Sequence, residues 1–210
     1  MIMAINNKAL MQAARGTLFT APAGTALPTG GVSKFLLNAG EIEVSPDLEG
    51  AKWENLGHTS NSNRLSFSKE GGDTTSMATW LSSSAKTKKE PSTLTVSGAS
   101  AQVDKATIKK ITGGWDNTSG GGVVVPIDSE VQQTALFILA YDDTDKLSFG
   151  MYLPETDFSY DTLDFSGEDF IEISFQAVVK STDTLPKGPN GELGGYCIFS
   201  PEDFKAAPAV

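Results

Sequence analysis

The chain has 210 residues, enough for one sizeable hydrophobic core, and 39% of them are hydrophobic while 20% are charged. Its longest apolar run, residues 135–141, is far shorter than the roughly 20 residues of a membrane-spanning helix. A single cysteine, Cys197, excludes an internal disulfide framework. The formal net charge of −10 comes from the acid-rich residues 101–210, which disfavours binding to nucleic acid or to an anionic membrane.

Three regions are predicted along the chain. Residues 1–34 show no sustained hydrophobic period and are predicted to form an extended arm that packs on the domain or on a neighbouring subunit. No apolar segment with a cleavage site is present there, so no secretory signal is expected. Residues 35–180 predict a mainly β domain, a β-sandwich or barrel with one flanking α-helix. Residues 181–210, punctuated by Pro and Gly, predict a C-terminal extension packed on the domain or on a neighbour.

The first strands of the domain follow from alternation and turn residues. Residues 64–69 alternate, with Leu65 and Phe67 directed inward. A glycine-rich turn at 71–73 then leads to residues 74–82, and the two segments together predict a β-hairpin. Further strands are predicted at 92–97, 123–125, 134–141, 146–153, 170–180 and 196–199.

Two of these strands carry specific predictions about their faces. Residues 134–141 are apolar on both faces, so the strand should be covered on both sides, by the helix or by another subunit. The strand at 170–180 alternates cleanly. Its inward positions are Ile171, Ile173, Phe175, Ala177 and Val179, and its outward positions are Glu172, Ser174 and Gln176.

One helix is predicted in the middle of the chain. Ser100 is the expected N-cap, and the glycines that begin at Gly113 should end the helix. The apolar stripe that would lie on the sheet consists of Val103, Ala106, Thr107 and Ile111. Ile108 falls off this stripe and is expected to face a partner.

Residues with the potential for chemistry are few. His58 is the only histidine, no nucleophile-elbow or zinc-binding motif occurs, and Cys197 lies in an apolar stretch that predicts a buried thiol. Asp142, Asp143 and Asp145 lack the glycine and glutamate of a calcium loop and predict a polar turn between strands. No catalytic residue, cofactor or metal is therefore predicted, and the chain is not expected to be an enzyme.

A family resemblance rests on three segments in order. Residues 53–60 read WENLGHTS, residues 70–73 and 79–80 read EGGD and TW, and residues 14–22 read ARGTLFTAP. Together they resemble the major tail proteins of long, non-contractile-tailed phages of actinobacteria, over roughly residues 14–115. The resemblance implies a β-sandwich-like tail tube subunit with a flanking helix. It also implies stacked hexameric rings that surround a channel for DNA.

The resemblance also implies partners and a location. The partners are other copies of the chain, the tape measure protein and the tail terminator, and DNA passes through the lumen without specific binding. The protein would be assembled in the host cytoplasm and would reside in the phage tail. Residues expected to face the lumen are Asp73, Glu172, Ser174 and Gln176. Residues expected at contacts between rings, together with the loop before Trp53, are Arg15, Thr17, Phe19 and Trp53.

Two other functions fit the same residues. A tail terminator or a head–tail joining protein would have a related fold but would not form long polymers. A carbohydrate-binding β-sandwich would use exposed tryptophans, among Trp53, Trp80 and Trp115, to stack on sugar rings.

Overall fold

The computed structural model describes residues 6, 10–35, 37, 52–128, 130–165 and 170–205. This part of the chain is mainly β, as predicted, with twelve strands, one α-helix α1 (Lys105–Thr112) and a 3-10 helix (Gly31–Lys34). The strands are β1 (Arg15–Pro22), β2 (Glu54–Asn55), β3 (Ser66–Gly71), β4 (Thr74–Thr79), β5 (Ser82–Lys89), β6 (Ser92–Ser100), β7 (Trp115–Asp116), β8 (Val123–Val124), β9 (Gln132–Asp142), β10 (Leu147–Asp164), β11 (Glu172–Val179) and β12 (Cys197–Phe199). Within the described ranges, no helix has the length and apolar character needed to cross a membrane.

Eight strands form one antiparallel sheet in the order β2-β1-β9-β10-β11-β6-β3, with β12 added beside β10. Strand β10 holds the sheet together because it changes partners along its 18 residues. Its first part pairs with β9 and β12, and its second part pairs mainly with β11. The pairing with β9 shifts register between Leu153 and Thr156, on either side of Pro154, which has no N–H to donate.

The first hydrophobic core shows that the two parts of the sheet face each other. Leu18 of β1 and Leu136 of β9 share this core with Val96 of β6 and Phe175 of β11, although these strands lie far apart in the strand order. Ile111 of α1 joins the same cluster. The arrangement is the predicted β-sandwich-like fold with one flanking helix.

A second core covers the opposite face of β1, β9 and the first part of β10. Phe137 of β9 stacks on Phe35, with ring centroids 3.9 Å apart, and Phe199 of β12 also packs against Phe137, with ring centroids 6.3 Å apart. Phe204 and Leu185 also pack against this cluster. Strand β9 is therefore covered on both faces, as predicted. The cover of the second face comes from the chain's own N- and C-terminal regions, and the described part of the C-terminal extension packs on the domain through Leu185, Phe199 and Phe204.

Strand β1 corrects the prediction of an extended arm at residues 15–22. It pairs with β9 along its whole length, from Arg15 opposite Tyr141 to Pro22 opposite Thr134, and so lies inside the sheet. Its residues at 17–21 are all buried, with Leu18 in one core and Phe19 in the other. A strand that is buried on both faces has no alternation that would reveal it.

The predicted hairpin of residues 64–69 with 74–82 is wrong. Strand β3 pairs with β6, and β4 pairs with β5, so the four strands form one long ribbon. The ribbon continues through hydrogen bonds from Gly72 N–H to Pro91 and from Glu90 N–H to Asp73. Gly71 and Gly72, at φ 72° and 80°, permit a change of direction that few other residues tolerate. Every residue of β4 and β5 is exposed.

Helix α1 begins later than predicted. Asp104 replaces Ser100 as the N-cap, and its carboxylate accepts the N–H groups of Ala106 and Thr107 at 3.0 and 3.1 Å. Gly113 ends the helix at φ 66°, as expected. The buried face consists of Thr107, Ile111 and Thr112, with Ile108 half-buried against the first core. Val103 and Ala106 are exposed, so the predicted stripe is only partly correct, and Ile108 faces the domain.

Candidate assembly surfaces

The residues with the potential for catalysis or metal binding do not come together in one site. His58 is exposed, and Cys197 is half-buried, with its thiol pKa raised by burial and by nearby Asp203. The carboxylate of Asp142 accepts the N–H groups of Gln12, Thr144 and Asp145, which lowers its pKa and organises a polar turn. No metal-binding group of His, Cys, Asp and Glu is found among the described residues.

Three of the four residues predicted at contacts between rings are buried within the subunit. Thr17, Phe19 and Trp53 are at most 3% exposed. Trp53 packs edge-on against Phe35 at 5.4 Å, and its indole N–H donates to the carbonyl of Ala26 at 3.1 Å. Phe19 and Trp53 belong to the second core, and the Thr17 hydroxyl accepts a hydrogen bond from the Asn55 amide, so none of the three is on the surface of the subunit.

Arg15 differs from its three companions. It is half-exposed and pairs with the carboxylate of Asp143, and its guanidinium lies 5.2 Å from the ring centroid of Tyr141. It is therefore the one of the four that the subunit presents at its surface. The loop before Trp53, also expected at such contacts, covers residues 38–51 and lies outside the described residues.

Glu172 corrects the prediction for the start of the strand at 170–180. Its side chain is buried at 6% exposure, whereas Ile171, expected to point inward, is 40% exposed. The Glu172 carboxylate accepts hydrogen bonds from the Ser60 hydroxyl and from the Asn63 amide, the latter at 2.6 Å. The loop at 60–63 covers this end of β11, and a strand pattern cannot reveal that cover.

The other predicted lumen residues remain accessible. Gln176 and Asp73 are exposed and Ser174 is half-buried. Gln176 lies directly opposite Ser159 of β10 and Ser97 of β6, and Ser97 in turn lies opposite Ser66 of β3. These four residues form a polar row across four strands, with the hydroxyls of Ser66 and Ser97 3.2 Å apart.

The same sheet face continues to either side of this row, and we call it the polar face. It also carries Thr95 and Ser68, which lie opposite each other, and Asp157, which pairs with Lys180 at 2.5 Å. Sequence reasoning identified Ser174 and Gln176 but missed the residues of β10, β6 and β3. Only the strand order brings those together.

Three of the segments that expose large apolar side chains stand out. One is the hairpin tip, Trp80 and Leu81, which are fully exposed. The others are the segment after α1 and the end of the β10–β11 pair. Their exposed members are Trp115, Val124, Val125 and Ile127 in the former, and Leu163, Phe165, Phe170 and Ile171 in the latter. Exposed apolar groups in such clusters mark surfaces that a partner covers.

An apolar cleft of about 570 Å³ opens where the two parts of the sheet diverge. Its floor and walls consist mainly of Leu65, Phe67, Ile138, Phe149 and Met151. The basic side chains of Arg15, His58 and Arg64 line its rim. Among the described residues, β2 and β3 are the two ends of the sheet, and a sheet edge can pair with another strand.

The chain was compared with known protein families. The family described as phage tail tube protein matches residues 3–184, which is most of the chain. A comparison with curated proteins gives no match.

Proposed function

The chain belongs to the phage tail tube protein family, and from that premise we propose that it is the major subunit of the tube, polymerised as stacked hexameric rings around a channel for DNA. Family membership implies a structural component of the virion tail that assembles with itself and with other tail proteins. The tape measure and tail terminator proteins are the specific partners that we propose. No enzymatic role is part of the proposal.

The observation that carries this proposal is the set of exposed apolar clusters. Trp80 and Leu81, Trp115 and Ile127, and Phe165 and Phe170 lie in three different segments of the chain and are all exposed. A protein that stays monomeric rarely exposes several such clusters. A subunit that contacts neighbours within a ring and in the rings above and below needs several of them, and the edge strands of the described sheet could supply a further contact.

The polar face is the surface that we propose for the lumen. Its hydroxyl and amide groups, at Ser66, Ser97, Ser159 and Gln176, offer DNA phosphates no cation, and half-buried Val178 lies beside them. Lys180 lies at one end of the face and is paired with Asp157. Six copies of a subunit with charge −10 would give −60 per ring, which keeps DNA from adhering within a Debye length of about 8 Å.

Electron microscopy and sedimentation of the purified protein over a range of concentrations test the proposal. We expect long tubes with a central channel that shorten or dissolve on dilution. Single rings that never stack would indicate a tail terminator or a head–tail joining protein. A stable monomer at every concentration would refute self-assembly.

A further inference from the structure

We propose that the hairpin tip of one subunit, Trp80 and Leu81, docks in the apolar cleft of a second copy of the chain. The inference rests on the proposed function because it presupposes self-assembly. It adds which surface of one subunit meets which surface of the next.

The projecting hairpin, residues 74–89, has the form of an arm built for a partner. Strand β5 has eight residues, so at roughly 3.3 Å per residue the hairpin reaches about 25 Å from its base. Both strands are exposed along their whole length, and Trp80 and Leu81 at the tip are fully exposed. Tryptophan provides a large rigid contact surface and is enriched where proteins meet.

The cleft has the size and chemistry to receive this tip. Its volume of about 570 Å³ lies within the range of roughly 300–1,000 Å³ that is typical of sites enclosing a compact ligand. Leu65, Ile138 and Met151 line it and pack at the same time against the first core. A docked indole and isobutyl group would therefore extend a rigid hydrophobic core.

The charge of the hairpin is opposite in sign to that of the rest of the chain. The hairpin carries three lysines, Lys86, Lys88 and Lys89, and no acidic residue, so its charge is +3. Because the net charge of the whole chain is −10, the remaining residues carry −13. The lysines lie toward its base, while the tip segment at 78–85 is uncharged. The cleft rim carries Arg15, His58 and Arg64, with Arg15 paired to Asp143, so the uncharged tip and not the lysine-bearing base is the part of the hairpin that fits there. An inserted hairpin would bury its uncharged tip and leave its lysines outside the cleft, facing a second subunit whose net charge is −10.

The contact joins two different surfaces, so it is a head-to-tail contact. The described lining of the cleft includes no residue of the subunit's own hairpin, so both surfaces are available to other copies. Repeated head-to-tail contacts close into a ring when the rotation per subunit permits, and otherwise generate a filament. Either outcome is consistent with a tube.

A tip variant and a cleft variant test the contact. The tip variant combines Trp80→Ser with Leu81→Ser, and the cleft variant is Ala14→Trp, at an exposed residue that lines the cleft. Each should fold like the wild type by circular dichroism and melting. We expect each to need at least about tenfold higher concentration to assemble, the effect of losing one hot-spot contact. The matched controls, Trp80→Phe with Leu81→Met and Ala106→Trp on the exposed side of α1, should assemble normally.

Mixing the two variants distinguishes a head-to-tail contact from general loss of hydrophobicity. Each variant retains one intact surface, so the mixture should form a 1:1 complex that cannot grow. In a Cys197→Ser background, chains with Leu81→Cys should form an interchain disulfide with chains that carry Phe67→Cys. Chains that carry Ala106→Cys should not do so.

The outcomes separate the two proposals. If the wild type assembles but the tip variant assembles equally well, or the disulfide does not form, the docking contact is overturned while the proposed function stands. A cleft filled by the subunit's own chain or by another tail protein would give that result. If the wild type never assembles and no disulfide forms, both proposals fail.

Discussion

The carboxylate of Glu172 connects segments that are far apart in the chain. It accepts hydrogen bonds from the side chains of Ser60 and Asn63, and the Ser60 hydroxyl also accepts the backbone N–H of Asn63 at 2.8 Å. The Ser60 N–H donates to the carbonyl of Ala99 in β6 at 2.8 Å. A loop without regular structure is thus fixed to two strands of the sheet. A side chain with this role is structural, so it does not belong to the lumen wall.

We predict that Glu172→Lys destabilises the fold by about 3 kcal/mol, because it removes hydrogen bonds to a charged group and buries an unpaired ammonium. Glu172→Gln should be milder, since an amide oxygen can still accept one of the bonds. Gln176→Lys, on the same strand but exposed, is the control and should change stability by less than about 0.5 kcal/mol. Urea unfolding measures all three. Wild-type stability in Glu172→Lys would contradict the burial.

A second prediction at residue scale concerns the N-cap of α1. Asp104→Ala should lower the free energy of unfolding by about 1 kcal/mol, because two helix N–H groups lose their acceptor. Hydrogen bonds, first that from the Thr107 hydroxyl, lower the pKa of Asp104 from 3.8 to about 2. Because the folded pKa is depressed, this contribution is fully present above about pH 4 and is lost as the pH falls through about 2.

Asp104→Asn isolates that dependence, since asparagine also caps helices but does not titrate. The stability difference between wild type and Asp104→Asn should shrink between about pH 4 and about pH 2. A difference that stays constant over this interval would show that the carboxylate is not held in its charged form by the cap.

At the scale of elements, strand β1 defines how much of the N-terminal region the fold requires. Deletion of residues 1–14 removes the hydrogen bonds of Gln12 to Asp142 and of Ala14 to Tyr141 but leaves β1 complete. We predict a folded protein of reduced stability. Deletion of residues 1–22 also removes Leu18 and Phe19 from the two cores and should give unfolded or insoluble protein. Circular dichroism and gel filtration compare the two. A folded 1–22 deletion would show that β1 is dispensable.

Unlike β1, the projecting hairpin is not expected to be required for folding. Replacement of residues 74–89 by two glycines should change the melting temperature little, because these residues are exposed and the hydrogen bonds at the base, such as Glu90 N–H to Asp73, remain. Assembly into tubes should be lost. A shortened chain that polymerises like the wild type would show that the hairpin has no role in assembly, and a chain that unfolds would show that it stabilises the domain.

At the scale of the whole assembly, the polar face makes a prediction about DNA passage. Gln176→Lys would place six cations on each proposed ring, repeated along the tube, in contact with DNA phosphates. Ejection should slow at low salt and recover at higher salt, because counterions compete for the new cations. Ala106→Lys, on the exposed side of α1, adds the same charge elsewhere and should eject normally. Normal ejection by Gln176→Lys at low salt would place the lumen on another surface.

Local sequence patterns determined the fold class and several elements of this protein. Alternation placed Ile173, Phe175 and Ala177 inward on β11, and the double-sided apolar character of β9 predicted its cover on both faces. Gly113 ended the helix as expected. These features depend on neighbours within a few residues, where side-chain period and backbone freedom act directly.

Only the tertiary structure decided which segments meet. The pairing of β3 with β6, the place of β1 inside the sheet and the burial of Trp53 all involve partners tens of residues away, up to Arg15 opposite Tyr141. Glu172 resembles an outward strand residue until the loop at Ser60 covers it, 112 positions earlier in the chain. A period of two reports that one face is buried but not what buries it. Which segment covers a given face depends on packing both cores at once. A strand forms all its backbone hydrogen bonds and buries both its faces only when all its neighbours are in place.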